Sequence, residues 1–207
     1  MAIEDFKMLE PSNVVSDLVA FVEKQLPQFP SSEEFIQILE KKKNENQHSL
    51  AFCIFMTQKS KAKFIFAREN AQKGSSVVDI GVYWGANLIL TVEAKLLPTP
   101  IGSKTQPRAE HEYVYGKGAG IQRFKDGDHG RDNANNLLTE SGLIAFVKEK
   151  DFQFWLGKTN EWIIDTQWGH MELLRKIYFK STGKLLSTHT RINSPSILIH
   201  HFWVKVS

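Results

Sequence analysis

Residues 77–98 read VVDIGVYWGANLILTVEAKLLP, two apolar arms around a Gly85-Ala86-Asn87 break. Short apolar runs flanking such a break predict a β-hairpin. Side chains on a strand alternate between its faces. On the second arm this sets Leu88, Leu90, Val92, Ala94 and Leu96 on one face, and Ile89, Thr91, Glu93, Lys95 and Leu97 on the other. On the first arm Val78, Ile80 and Val82 share a face, opposite Val77, Asp79, Gly81 and Tyr83. Pairing the arms brings Asp79 near Glu93 and Lys95, which stand roughly 7 Å apart along their strand. Two carboxylates and an ammonium thus meet inside an apolar segment.

The elements around the hairpin follow from local patterns. SNVVSDLVAFVEKQL has helical spacing, with Val15, Leu18, Val19, Val22 and Leu26 on one face and Ser12 or Asn13 as cap. Pro27 and Pro30 end it, and Ser31 with Glu34 reads as a capping box opening a second helix, EEFIQILEKKKNEN. SLAFCIFMTQ is a continuous apolar run that periodicity assigns to neither helix nor strand. KFIFAR and GLIAFVK read as strands, DFQFWLGKTNEWII as an amphipathic helix, and GKLLSTHTRI and SILIHHFWVKV as two final strands. The expected fold is a mixed α/β domain over residues 1–207. It divides into a mainly helical part to 60, a core over 61–150, and a C-terminal helix with strands over 151–207.

Composition sets outer limits. With 207 residues, 42% of them hydrophobic and 24% charged, one globular domain is expected. A single cysteine rules out an internal disulfide, and Cys53, set in LAFCIFM, reads as an inert core residue. No apolar run reaches membrane-spanning length and MAIEDFKMLEP is not a signal peptide, so a cytoplasmic protein without a membrane partner is expected. A net charge of +3 is compatible with an anionic partner.

Two carboxylates in one place raise each other's pKa unless a cation lies between them. Mg²⁺ (or Mn²⁺) suits the pair: a hard ion that takes carboxylate, water and phosphate oxygens. Lys95 would then orient a water or stabilise charge on a phosphoryl transition state. Asp79 followed by Glu93-Ala94-Lys95 after a hairpin resembles the PD-(D/E)xK nuclease superfamily, the restriction-endonuclease-like fold. The order helix, three strands, helix, strand over about residues 33–147 resembles its core. The resemblance implies a metal held by Asp79, Glu93 and the Ala94 carbonyl, with Lys95 as catalytic lysine. It further implies Gln122 as a polar residue beside the site, and an acidic residue from the N-terminal helices, for which Glu34, Glu40 and Glu45 are candidates. Val78 departs from the proline of the motif's name. A second Glu-x-Lys triplet, Glu40-Lys41-Lys42, lies in a helical pattern, where residues two apart do not share a face.

The implied function is hydrolysis of phosphodiester bonds in nucleic acid, expected to be DNA, with a homodimer if both strands are cut. From Lys95 to Lys125 six Lys and Arg residues (Lys95, Lys104, Arg108, Lys117, Arg123, Lys125) face two glutamates, which suits phosphate contacts by Lys117, Arg123 and Lys125. A catalytically inactive nucleic-acid binder is the alternative. A glycosidase would leave Lys95 without a task. A purely structural module would leave Asp79, Glu93 and Lys95 solvated. The seven histidines show no zinc-site spacing, KDGDHG reads as a turn, and the Trp-rich segment reads as core.

Overall fold

A computed structural model describes residues 11–40, 44–102, 108–116 and 118–206. The chain is α/β. Among the described residues five α-helices flank one seven-stranded mixed sheet: α1 Pro11–Gln25, α2 Glu33–Leu39, α3 Glu45–Lys59, β1 Ile65–Ala71, β2 Val77–Trp84, β3 Asn87–Leu97, α4 Ile121–Lys125, β4 Glu140–Val147, α5 Phe152–Asp165, β5 Arg175–Phe179, β6 Thr182–Arg191 and β7 Ser194–Lys205. The strand order is β1-β2-β3-β4-β7-β6-β5. Pairs β3–β4 and β4–β7 are parallel; the others are antiparallel. No helix among the described residues is long and apolar enough to cross a membrane.

The expected hairpin is present, with Gly85 supplying the positive φ (59°) that its tight turn demands. Several expectations are corrected. The apolar run SLAFCIFMTQ is helical, forming most of α3, with Asn44 as cap accepting from Gln47 N at 3.0 Å. Ser32 caps α2, accepting from Phe35 N at 3.2 Å, while Ser31 turns back to Gln28 O. A strand unread in the sequence, β5, pairs with β6. Val78 does not stay with Ile80 and Val82: those two pack in the core cluster with α1 and α3, and Val78 in the cluster across the sheet with Leu97 and Tyr113. Alternation therefore breaks beside Asp79. Cys53 is buried in the first cluster, where burial pushes its thiol up to about 12, and Trp155 and Trp162 are core in the second.

The second face holds a buried hydrogen-bonded chain. Trp203 Nε1 donates to Tyr113 Oη (2.8 Å), which meets His201 Nδ1 (2.8 Å). Ser187 Oγ lies 2.7 Å from both His201 Nε2 and His189 Nε2, and His189 Nδ1 lies 2.9 Å from Glu172. Lys125 Nζ closes it on Glu172 at 2.7 Å. An indole nitrogen only donates and a carboxylate only accepts. Every proton between them is then fixed: Tyr113 donates to His201, His201 to Ser187, Ser187 to His189 and His189 to Glu172, with both imidazoles neutral. Burial lowers both histidines, in keeping with that state. The chain ties Tyr113 and α4 to the C-terminal strands.

Ser187→Ala would leave two buried imidazole nitrogens unpartnered. It is expected to destabilise the protein by about 2–6 kcal/mol, at about 1–3 kcal/mol per orphaned group. Denaturant unfolding measures this, and a loss below about 1 kcal/mol would show that the chain carries little stability.

Candidate active site

β2 and β3 pair, across a bulge between Val82 and Tyr83, as far as Ile80 and Val92, and Asp79 precedes the last paired residue of β2. From there β3 gives its free amides to carboxylates. Ala94 N donates to Asp79 Oδ2 at 2.8 Å, and Leu96 N donates to Glu45 Oε2 at 3.0 Å. Glu45 is the first residue of α3, where the helix dipole favours an acid. Of the three N-terminal glutamates considered, Glu45 is thus the one that reaches the site.

Glu93 and Lys95 project from β3 into the second face and form an ion pair of 2.8 Å, with relative exposures of only 2% and 4%. Two further nitrogen-bearing side chains stand against Glu93: Arg123 Nη1 lies 3.7 Å from Oε1, and His129 Nδ1 lies 3.2 Å from Oε2. The His129 contact is too poorly aligned to be a hydrogen bond, so Glu93 Oε2 and both nitrogens of His129 are buried without hydrogen-bond partners. Arg108 links two further acids, with Nε on Glu112 at 2.8 Å and Nη2 on Glu45 at 3.4 Å.

The charges sort by environment. Burial raises the partly exposed Asp79 carboxyl, and Glu93 raises it further, so that it is pushed up to about 7 despite Lys95 and the Ala94 amide. Burial would also raise Glu93, but Lys95 and then His129 outweigh it and hold Glu93 at about 2. Burial pulls Lys95 down, and Glu93, Glu45 and Asp79 together lift it above its ordinary value. The site therefore holds an ionised Glu93, a charged Lys95 and an Asp79 that titrates near neutrality. A carboxylate pair whose pKa values are driven apart is a pattern that catalytic sites share with buried structural ion-pair networks.

A hard cation fits this donor set. The donors are oxygens, and Glu93 Oε2 is buried with no hydrogen bond of its own. A cation beside Asp79 would relieve the repulsion that raises it. Among the described residues no three His, Cys, Asp or Glu side chains group closely enough to enclose an ion. Mg²⁺ needs only one or two carboxylates, its remaining ligands being water and substrate oxygen.

Not every expected site residue joins the cluster. Gln122 turns its Oε1 to Gly116 N at 3.0 Å and lines a neighbouring cleft of about 590 Å³ with Arg123, Lys73 and Asp126. Lys125 is held by Glu172 and by Thr190 O, so its charge is already matched. Lys117 and Lys104 lie outside the described residues. His129 and Arg108, which no sequence pattern singles out as chemical, are brought to the site by the long connection between β3 and β4.

Asp79 binds its proton more tightly folded than unfolded. Its contribution to stability is full below about pH 4 and is lost as pH rises through about 7. Asp79→Asn keeps an acceptor for Ala94 N without the charge. In metal-free buffer at pH 8 it is expected to raise Tm by about 2–4 °C, on the order of 1 kcal/mol once solvent screening of the partly exposed carboxylate is allowed for. At about pH 4 and below the two proteins should melt together, since the carboxyl is then neutral both folded and unfolded, and equal melting at pH 8 as well would refute the strained carboxylate. Comparison with known proteins gives no match, since no family model, no curated protein and no solved structure corresponds to this chain.

Proposed function

We propose that the chain is a metal-dependent nuclease of the restriction-endonuclease-like class, hydrolysing phosphodiester bonds, with DNA as the expected substrate. The observation that carries the reading is the geometry where β2 and β3 part, with Asp79 on Ala94 N beside the buried Glu93–Lys95 pair; burial and Glu93 push that carboxyl up to about 7. The order α3, β1, β2, β3, α4, β4 supports it, with the acid on β2 and Glu93-Ala94-Lys95 on β3.

Asp79, Glu93 and the carbonyl of Ala94 would hold Mg²⁺ or Mn²⁺. When bound, that ion polarises a phosphoryl oxygen and makes a water more acidic. Lys95 stays charged, and its ammonium orients the attacking water and meets the charge gained by the phosphate. Arg108 and Arg123 flank the carboxylates with guanidiniums suited to phosphate oxygens. Glu45 fixes the β3 backbone through Leu96 N, so that the Ala94 carbonyl keeps its direction. Because Glu93 and Lys95 are buried, Arg123 and His129, which lie against Glu93, must give way for a phosphate to enter.

That burial also favours a second reading, a nucleic-acid binder without turnover in which Lys95 serves only to neutralise Glu93. One experiment separates the two. Supercoiled plasmid is incubated with the protein in Mg²⁺, Mn²⁺ or EDTA, beside Asp79→Asn and Lys95→Ala. Metal-stimulated nicking is expected, reduced about a hundredfold or more in both variants. Asp79→Asn, expected to fold at least as well as the parent, guards against loss through unfolding. Absence of cleavage on plasmid, single-stranded DNA and RNA would sink the nuclease.

A further inference from the structure

A second cavity, of about 530 Å³, has no task in the carboxylate site. It lies between the loop after α4 and the β6–β7 turn, and Lys73, Lys125, Arg131 and Arg191 line it with Asp126, Thr190 and Ser194. Lys125 is matched by Glu172. The two arginines are not. Arg191 is buried and spends Nε and Nη1 on the carbonyls of Phe124 and Leu138, both at 2.8 Å. Its Nη2 is buried with no partner, against Gly130, where a Cβ would stand only 2.9 Å away. Arg131 gives Nε to Gly127 O and Nη1 to Asn135 O. Arginine ion pairs among the described residues involve Arg68, Arg108 and Arg123 alone. Burial lowers the Arg191 pKa and the nearby charge of Arg131 lowers it further.

Two guanidiniums and one free-standing lysine thus wall a cavity that offers a single carboxylate, Asp126. Arg191 is buried without an ion pair, which is costly, and an oxyanion would relieve it. Both guanidiniums give Nε and Nη1 to carbonyls, so Nη2 of each is left as a charged donor suited to a phosphate oxygen.

We propose that this cavity is a phosphate-binding subsite, formed by Arg131, Arg191 and Lys73. It shares Lys73 and Asp126 with the cleft lined by Gln122 and Arg123, so the two are adjacent. On the nuclease reading, on which this step alone rests, the occupant is a backbone phosphate flanking the one cleaved. A free phosphate or a phosphate monoester offers the same oxygens.

The test melts the full chain in inorganic phosphate and in chloride at equal ionic strength, then titrates a labelled oligonucleotide in EDTA across a range of salt. The proteins compared are the parent, Lys73→Gln and Arg131→Gln, with Asp79→Asn as a control outside the cavity. Saturating phosphate is expected to raise Tm by about 3 °C over chloride in the parent and in Asp79→Asn, and to lose that effect in the two cavity variants. For a backbone phosphate, the slope of log affinity against log salt falls by about one in each cavity variant. If the phosphate effect is lost but oligonucleotide binding is unchanged, the site stands and its phosphate is a free one. If plasmid is not cleaved while the phosphate effect persists, the nuclease fails and the subsite stands. Phosphate that stabilises no more than chloride, or equally in both cavity variants, overturns the subsite.

Discussion

Two backbone amides of β3, those of Ala94 and Leu96, are held by carboxylates instead of by a neighbouring strand. A charged acceptor makes a stronger bond to an amide than a carbonyl does, so β2 can leave β3 at Asp79 without orphaning the sheet. The consequence is electrostatic. Capping with Asp79 and Glu45 brings negative charge to the point where Glu93 already points inward. Lys95 is the compensation, and its raised pKa traces to all three acids. Remove the splay, and neither the acids nor the lysine has a reason to converge.

The arrangement is a poor one for stability alone. Buried ion pairs are often matched or bettered by apolar residues of similar volume. Here the pair is also incompletely served, since Glu93 Oε2 and both nitrogens of His129 lack hydrogen bonds. The chain of groups from Trp203 to Glu172, by contrast, is buried with a place for every proton. Orphaned buried groups such as those of Glu93 and His129 call for a partner, which a water or a ligand can supply.

Legibility in the sequence followed how local each signal was. The hairpin and its triad of Asp79, Glu93 and Lys95 could be read because strand alternation is a two-residue rule. The same rule misplaced Val78, where the backbone departs from regular pairing. The helix α3 gave no period because Ala51, Phe52, Cys53, Phe55 and Met56 are all buried, leaving little polar face to mark one. β5 is an edge strand whose Arg175, Lys176 and Ile177 are exposed, so no apolar alternation announces it. Glu45 reaches Leu96 across 51 positions and His129 lies within a turn-like KDGDHG, so long-range packing alone brings them to the site.

The short helix α4 shows why the C-terminal strands belong to the site. A helix of five residues has no stability of its own. It is held from outside: Arg191 of β6 takes the Phe124 carbonyl, and Lys125 is fixed by Glu172 and by Thr190 O. Between those two anchored residues and Gln122 stands Arg123, whose guanidinium faces Glu93. The position of that charge is therefore set by the β6–β7 hairpin, some seventy residues further along the chain. The strand pair that reads in sequence as a plain sheet extension is what aims a cation at the carboxylates, and the cavity beneath the same hairpin is lined by Lys125, two residues beyond the arginine it holds in place.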